Sequence, residues 1–208
     1  MADRQVSILE AAVRVIARTG IRGLRVEELA AEAGVSTALI YYHFKDRAGL
    51  VRRTLAFIGD RAAGYTDEAL EDSEDARAVL VQLLLSELQD IPRVRENSIA
   101  WGELRASAIF DSDLRAPLAE STRSWSQDTA DAVADAQAAG LADPRVAPLD
   151  AAERLTALVE GLSERWLSGS LTLDRARALL TGAVDAELGP HPAPAPAPAP
   201  EPLAPRPA

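Results

Sequence analysis

Apolar side chains recur three and four residues apart along most of the chain, and no stretch of any length alternates with the two-residue period of a strand. The first pattern covers about residues 4–19, with Ile8, Ala12, Val15 and Ile16 on one face and Gly20 past its end. Residues 25–44 hold two shorter patterns. Leu29, Ala30 and Ala33 form the first, and Gly34 can end it in the left-handed conformation. Val35 follows in the turn, and Ser36 is a good N-cap for the second. That second helix turns Ile40 and Phe44 inward and Thr37, Ala38, Tyr41, Tyr42 and His43 outward. A fourth helix, capped by Asp46, runs through Leu50, Leu55 and Phe57 to about residue 63. Further patterns lie at 74–90, at 92–109 with Trp101 and Leu104, at 113–139, at 150–167 and at 173–188. Asp150-Ala-Ala-Glu153 resembles a capping box. Gly64, Gly140, Pro144, Pro148 and Gly169 separate the helices. The pattern predicts an all-α fold: a three-helix head over residues 1–50 and a helical bundle over 51–188.

Residues 189–208, GPHPAPAPAPAPEPLAPRPA, break this rhythm. Alternating Ala-Pro cannot be helical, because proline lacks the amide donor and restricts the residue before it. The segment is predicted to be a disordered, polyproline-II-like tail that packs on nothing.

Helix, glycine-containing turn, helix is the layout that lays a recognition helix in the major groove. Flanked by AAVRVIARTG and KDRAGL, the segment from Arg25 to Leu50 resembles the N-terminal domain of the TetR family of transcriptional regulators. That family typically reads Thr-x-x-x-Ile-Ala-x-x-Ala-Gly-Val-Ser-x-Gly-x-Leu-Tyr-x-His-Phe-x-x-Lys-x-x-Leu. Ala30, Ala33, Gly34, Val35, Ser36, Tyr41, His43, Phe44 and Leu50 match it. Three departures matter: Arg25 stands for the Thr cap, Ala38 for the Gly, and Arg47 for the Lys. Ala38 should stiffen the recognition helix, and Arg47 adds a fork able to grip phosphate. The resemblance implies that Tyr41, His43, Lys45 and Arg47 contact phosphates and fix register. Thr37, Ala38 and Tyr42 would face base edges, and Ser36 would cap the helix whose positive end meets the DNA backbone.

Charge agrees once it is divided along the chain. Residues 1–55 carry nine Lys and Arg against six Asp and Glu, a net +3, which leaves −13 for the rest of a chain of formal net charge −10. Such asymmetry suits a DNA-binding head on an acidic body. Lys45 is the only lysine. There is no cysteine, hence no disulfide framework or thiolate chemistry. No apolar run reaches the roughly 18 residues that a membrane span needs, and MADRQVSILE has no signal-peptide core. A cytoplasmic location follows by elimination. Catalysis finds no support, since His43 lies in the DNA-facing helix and His191 in the tail. No metal-ligand spacing or phosphate-cradling loop implies a metal or cofactor. Glu27/Glu28 and Asp111/Asp113 read as helix N-terminal charges.

The body resembles the same family less sharply. AGLADPRVAPLDAAERLTALVEGLSERWLSGSL, with WGELRASAIFDSDLR upstream, is similar to the regulatory domain of its choline/betaine-regulator branch. The match is one of spacing and apolar positions, so a choline-like effector does not follow from it. Leu155, Leu158, Val159, Leu162 and Trp166 form a stripe that Leu179, Leu180 and Ala183 continue on the next helix. Wide apolar faces on two adjacent helices invite pairing into a four-helix dimer interface. Trp101, Phe110 and Trp125 are candidates to line a ligand cavity, with Glu103, Arg105 and Arg123 as polar contacts. The expected function is a homodimeric, ligand-responsive regulator, a repressor that binds a palindromic double-stranded operator and releases it to a small-molecule effector. Two alternatives stay open: an activator or protein-interaction regulator, and an effector-binding protein with little DNA affinity.

Overall fold

The computed structural model describes residues 2–69 and 75–189, so the tail expected at 189–208 lies, but for Gly189, outside the described residues. Nine α-helices form an all-α fold with no strand among those residues. The head contains α1 (Ala2–Gly23), α2 (Val26–Ala33) and α3 (Thr37–Phe44). The body contains α4 (Arg47–Ala69), α5 (Ala76–Leu85), α6 (Pro92–Ala108), a 3₁₀ turn at Ser112–Leu114, α7 (Arg115–Ala138), α8 (Pro148–Leu167) and α9 (Leu173–Leu188).

Local chemistry sets most boundaries. Gly20 breaks α1 with φ 71° and ψ 165°, and a last turn follows it. Gly34 closes α2 in the left-handed region, and the Val35 amide reaches back 2.9 Å to the Ala30 carbonyl. Asp75 caps α5 by accepting from the Arg77 and Ala78 amides, and Thr172 caps α9 by accepting from Arg175. The Asp150 expectation needs correction. Pro148 occupies the first turn of α8, so Asp150 lies inside the helix, and the cap residue Ala147 offers no side-chain acceptor. The pattern at 74–90 ends early as a helix, at Leu85, and 113–139 divides into the 3₁₀ turn and α7.

Two apolar clusters hold these elements. One joins Ile8, Val15 and Ile16 of α1 to Leu29 of α2, Ile40 and Phe44 of α3, Leu50 and Leu55 of α4, and Leu104 of α6. The head therefore shares its core with the helix that also walls the body. The other cluster joins Leu80 and Leu84 of α5, Val133 of α7, Leu155, Leu162 and Trp166 of α8, and Leu180 and Val184 of α9. This revises the role of the apolar stripe: Leu155, Leu162, Trp166 and Leu180 are buried within one chain, and Leu158 and Leu179 pack partly against the same core. Leu155, Leu162, Trp166 and Leu180 are thus spent on the core of their own chain, while Leu158 and Leu179 stay half-exposed.

A buried arginine locks the C-terminal end of the bundle. Arg77 donates to the Leu141 carbonyl at 2.9 Å, the Gly189 carbonyl at 2.6 Å and the Asp185 carboxylate at 2.9 Å. Five N–H donors in a rigid fork let one side chain satisfy the end of α9 and the turn after α7 together.

Candidate DNA interface and ligand cavity

The outer face of α3 begins with its cap. Ser36 accepts a 3.2 Å hydrogen bond from the Leu39 amide. Ile40 and Phe44 anchor the helix in the core, which turns the opposite face to solvent. Tyr41 is 47 % and Tyr42 73 % exposed, large values for aromatic side chains without a partner surface. Ala38 and Lys45 are exposed as well, and Thr37 and His43 are half-exposed. The Tyr42 and His43 rings meet edge-on at 5.3 Å. All the expected contact residues from Ser36 to Lys45 thus belong to one short element and its caps. The α2 helix is held on α1 by Arg14–Glu32 and Arg18–Glu28 ion pairs at 2.9 Å. As expected, Arg25 gives α2 no side-chain cap.

The turn after α3 is unusual. Lys45 has φ 65° and ψ −55°, and among the described residues it is the only non-glycine with positive φ. The Asp46 amide donates to the Phe44 carbonyl at 2.8 Å, closing a γ-turn around Lys45. The Asp46 carboxylate then accepts from the Gly49 amide at 2.6 Å and starts α4 as expected. Gly49 is needed because a Cβ there would lie 2.2 Å from the Phe44 carbonyl oxygen. Neither Gly49 nor the strain at Lys45 was read from the sequence, and only the glycine itself hinted at the close approach.

Arg47 departs from expectation. Its Nε donates to the Leu24 carbonyl at 3.2 Å, and Nη2 donates to the Ile21 carbonyl. The fork closes the C-terminal end of α1 instead of extending toward a phosphate, because the carbonyls at the end of a helix have no following turn to donate to them. The break at Gly20 strips the Ile21 amide of its partner, and Glu103 of α6 accepts from it at 3.1 Å. Glu103 therefore serves the joint between head and body and not the cavity.

The cavity lies in the body, between α4, the end of α5, α6, α7 and α8, with a volume of ≈ 540 Å³. Trp101 and Trp125 line it. Phe110 does not: α6 ends at Ala108, and the following turn leaves its ring 85 % exposed. Arg105 is on the wall, 2.5 Å from Glu160 and stacked 5.2 Å from the Trp101 ring centre, while the Trp101 indole N–H donates to the same Glu160 oxygen at 2.8 Å. Arg123 is spent on an exposed pair with Glu120.

Sequence reasoning missed several polar wall residues. Asn97 falls on the buried face of α6 with Val94 and Leu104, and Ser163 falls within the buried stripe of α8. A polar residue at a core position was the available signal. Glu87 also lines the space, and burial pushes its carboxyl up to about 7. The Asp128 carboxyl is raised as well, by burial first and then by Asp131 nearby.

Helix α4 connects the two regions. It starts beside α3 at the Lys45 turn and places Ile58, Gly59 and Asp60 on the cavity wall. No described helix is long and apolar enough to cross a membrane.

Comparison with known proteins agrees with this geometry. Residues 8–54 match the model of bacterial regulatory proteins of the tetR family, and residues 76–189 match that of the C-terminal domain of BetI-type transcriptional repressors. A crystal structure described as a TetR-family transcriptional regulator from Rhodococcus sp. shares 48 % identity, covering 91 % of this chain and 100 % of its own, with a TM-score of 0.86. A transcriptional regulator from Saccharomonospora viridis, crystallised in complex with choline, shares 26 % identity over 90 % of this chain and 98 % of its own, with a TM-score of 0.79. The HTH-type transcriptional regulator BetI of Burkholderia ambifaria is 25 % identical over 169 residues, 81 % of this chain and 82 % of its own. With both the head and the greater part of the body matched, the chain belongs to the TetR family of transcriptional regulators and carries a regulatory domain of the BetI type.

Proposed function

We propose that the protein is a cytoplasmic, homodimeric repressor that holds a palindromic operator and releases it when a small molecule fills the body cavity. The observation that carries this reading is the reach of α4, from the turn beside the exposed face of α3 to the cavity wall. A ligand that prefers one placement of α4 biases the spacing of the two heads of a dimer, and operator DNA biases it in return. The Glu103–Ile21 hydrogen bond and the Arg47 fork give α6 and α4 a common hold on the end of α1. The cavity volume falls within the roughly 300–1,000 Å³ usual for small-molecule sites, and the choline-bound relative supports a ligand in the body.

The DNA contacts assigned to this reading are Thr37, Ala38 and Tyr42 at base edges and Tyr41, His43 and Lys45 at phosphates, with Ser36 as the cap. For the dimer, the reading uses the outer faces of α8 and α9. Ala157 and Ala178 are exposed there, and Cβ atoms built on Gly161 and Gly182 would meet nothing within 4 Å. Small residues on two adjacent helices allow close approach of a second pair. The BetI-type match of the body supports repression as the sign of regulation.

A gel shift with duplex DNA flanking the protein's own gene tests the reading. A saturable complex that survives competitor DNA is the expected result. Equal affinity for flanking and scrambled DNA would leave only an effector-binding protein.

A further inference from the structure

We infer that the effector is a protonated aliphatic amine that keeps N–H donors, as opposed to a quaternary ammonium or an anion. The inference rests on the reading of the body cavity as the effector site, and it adds the chemistry of the molecule that fits there.

Charge gives the first constraint. Six carboxylates stand on the cavity wall (Asp60, Glu87, Glu120, Asp128, Glu160 and Glu164) against one guanidinium, Arg105. Arg105 pairs with Glu160, and Glu120 pairs with Arg123. That leaves the half-buried Glu87 inside, and Asp60, Asp128 and Glu164 at the exposed rim, without an ion-pair partner among the described residues. An anion entering this space would meet uncompensated negative charge, whereas a cation supplies what the wall lacks.

Hydrogen bonding gives the second, independent constraint. Three buried side-chain polar atoms make no hydrogen bond within the described protein, namely Asn97 Oδ1, Ser163 Oγ and Arg105 Nε, and all three residues line the cavity. Asn97 is 2 % and Ser163 7 % exposed. The Asn97 amide orientation is set by its partner, because Nδ2 donates to the Ile58 carbonyl at 3.4 Å and reversing it would oppose two oxygens. Its Oδ1 is therefore an acceptor facing an unfilled need. Ser163 Oγ can accept too, and it donates to no helix carbonyl. Leaving such groups unpaired carries their full desolvation penalty, so a ligand that donates to them is favoured over one that does not. A trimethylated nitrogen has charge but no N–H. A primary or secondary ammonium has both. Arg105 Nε, the one orphan donor, suits a hydroxyl or ether oxygen elsewhere on the same molecule.

The test uses the full-length protein and a matched probe set: hexylamine, N-methylhexylamine, N,N,N-trimethylhexylammonium, hexanoate and 1-hexanol. Trp101 and Trp125 on the wall report binding by fluorescence. Hexylamine and its N-methyl form are expected to bind at least tenfold more tightly than the trimethyl form, with hexanoate weakest. Ser163→Ala should cost the primary amine about fivefold and leave the trimethyl form unchanged. Glu87→Gln should weaken both cations and spare hexanol, with thermal melts confirming that both variants are folded. Equal or tighter binding of the trimethyl form, preference for hexanoate, or no binding by any amine would each overturn the inference. If the amines bind as expected but leave operator affinity unchanged, the amine chemistry stands and the induction reading falls.

Discussion

Lys45 offers a variant whose effects on stability and on DNA binding should run in opposite directions. It combines a positive φ of 65° with the only ammonium side chain in the protein. A non-glycine residue held in such a region costs about 1–3 kcal/mol. Lys45→Gly removes that strain but gives the unfolded chain more freedom, which offsets the gain by about 0.5–1 kcal/mol. A net stabilisation near 1 kcal/mol follows, a rise in Tm of roughly 2–4 °C for a chain of this size. The same change deletes one cation beside the recognition helix. If Lys45 neutralises a phosphate, the slope of log K against log salt should fall by roughly 0.9 per protomer, so by roughly 2 for a dimer on its operator. Lys45→Ala is the control, since it loses the cation and keeps the strain. Calorimetry on the two variants and salt titrations by fluorescence anisotropy give all the quantities needed. A glycine variant no more stable than the alanine variant would refute the strain argument. An unchanged salt slope in both would show that Lys45 does not meet a phosphate.

Three further outcomes follow from separate parts of the molecule. Arg77→Met keeps the volume but strands the carbonyls of Leu141 and Gly189, so chemical denaturation should show a loss of about 1–3 kcal/mol for each carbonyl left unpaired, with the exposed Asp185 carboxylate returned to water. Glu87, with its carboxyl raised to about 7, holds a proton in the folded protein that the unfolded chain releases near its ordinary value of 4.5. Stability of the ligand-free protein should therefore fall as pH rises from about 5 to 7, by on the order of 3 kcal/mol. Glu87→Gln should remove that slope, while Asp143, held near 2 by Arg145, stays ionised throughout the window. Gly161→Arg and Gly182→Arg place bulk where, the adjoining stretch of the same helix apart, nothing lies within 4 Å of the added Cβ. Light scattering should then report folded monomers, and dimers that persist would move the interface elsewhere.

The features legible in the sequence are those fixed within a turn or two of the chain. Gly34 ends α2 because its left-handed backbone is a local property, and Ser36 caps α3 through an amide three residues on. The period of Ile40 and Phe44 was enough to orient the recognition helix and expose both tyrosines. What escaped depends on partners distant in sequence. Arg47 is taken up by carbonyls 23 and 26 residues away, at the C-terminal end of α1. Phe110 has an aromatic ring suited to a pocket, yet the end of α6 turns it to solvent. The stripe of α8 was visible, but an apolar period cannot say whether its face meets the same chain or a second copy, and here the same chain covers it. The cavity's polar wall was missed for a similar reason: Asn97 and Ser163 look like faults in apolar faces until the space between α6 and α8 is seen.

Selection of binding sites from a random duplex library by full-length protein, repeated with Tyr42→Ala, tests most directly whether the outer face of α3 reads DNA in a symmetric assembly. The account predicts that the wild type enriches an inverted repeat with half-sites about one helical turn apart. Tyr42→Ala should enrich the same repeat with one base pair per half-site relaxed, by about 1–3 kcal/mol, and with the salt slope nearly unchanged. Failure of the wild type to enrich any repeat, or loss of specific and non-specific affinity in equal measure on Tyr42→Ala, would contradict it.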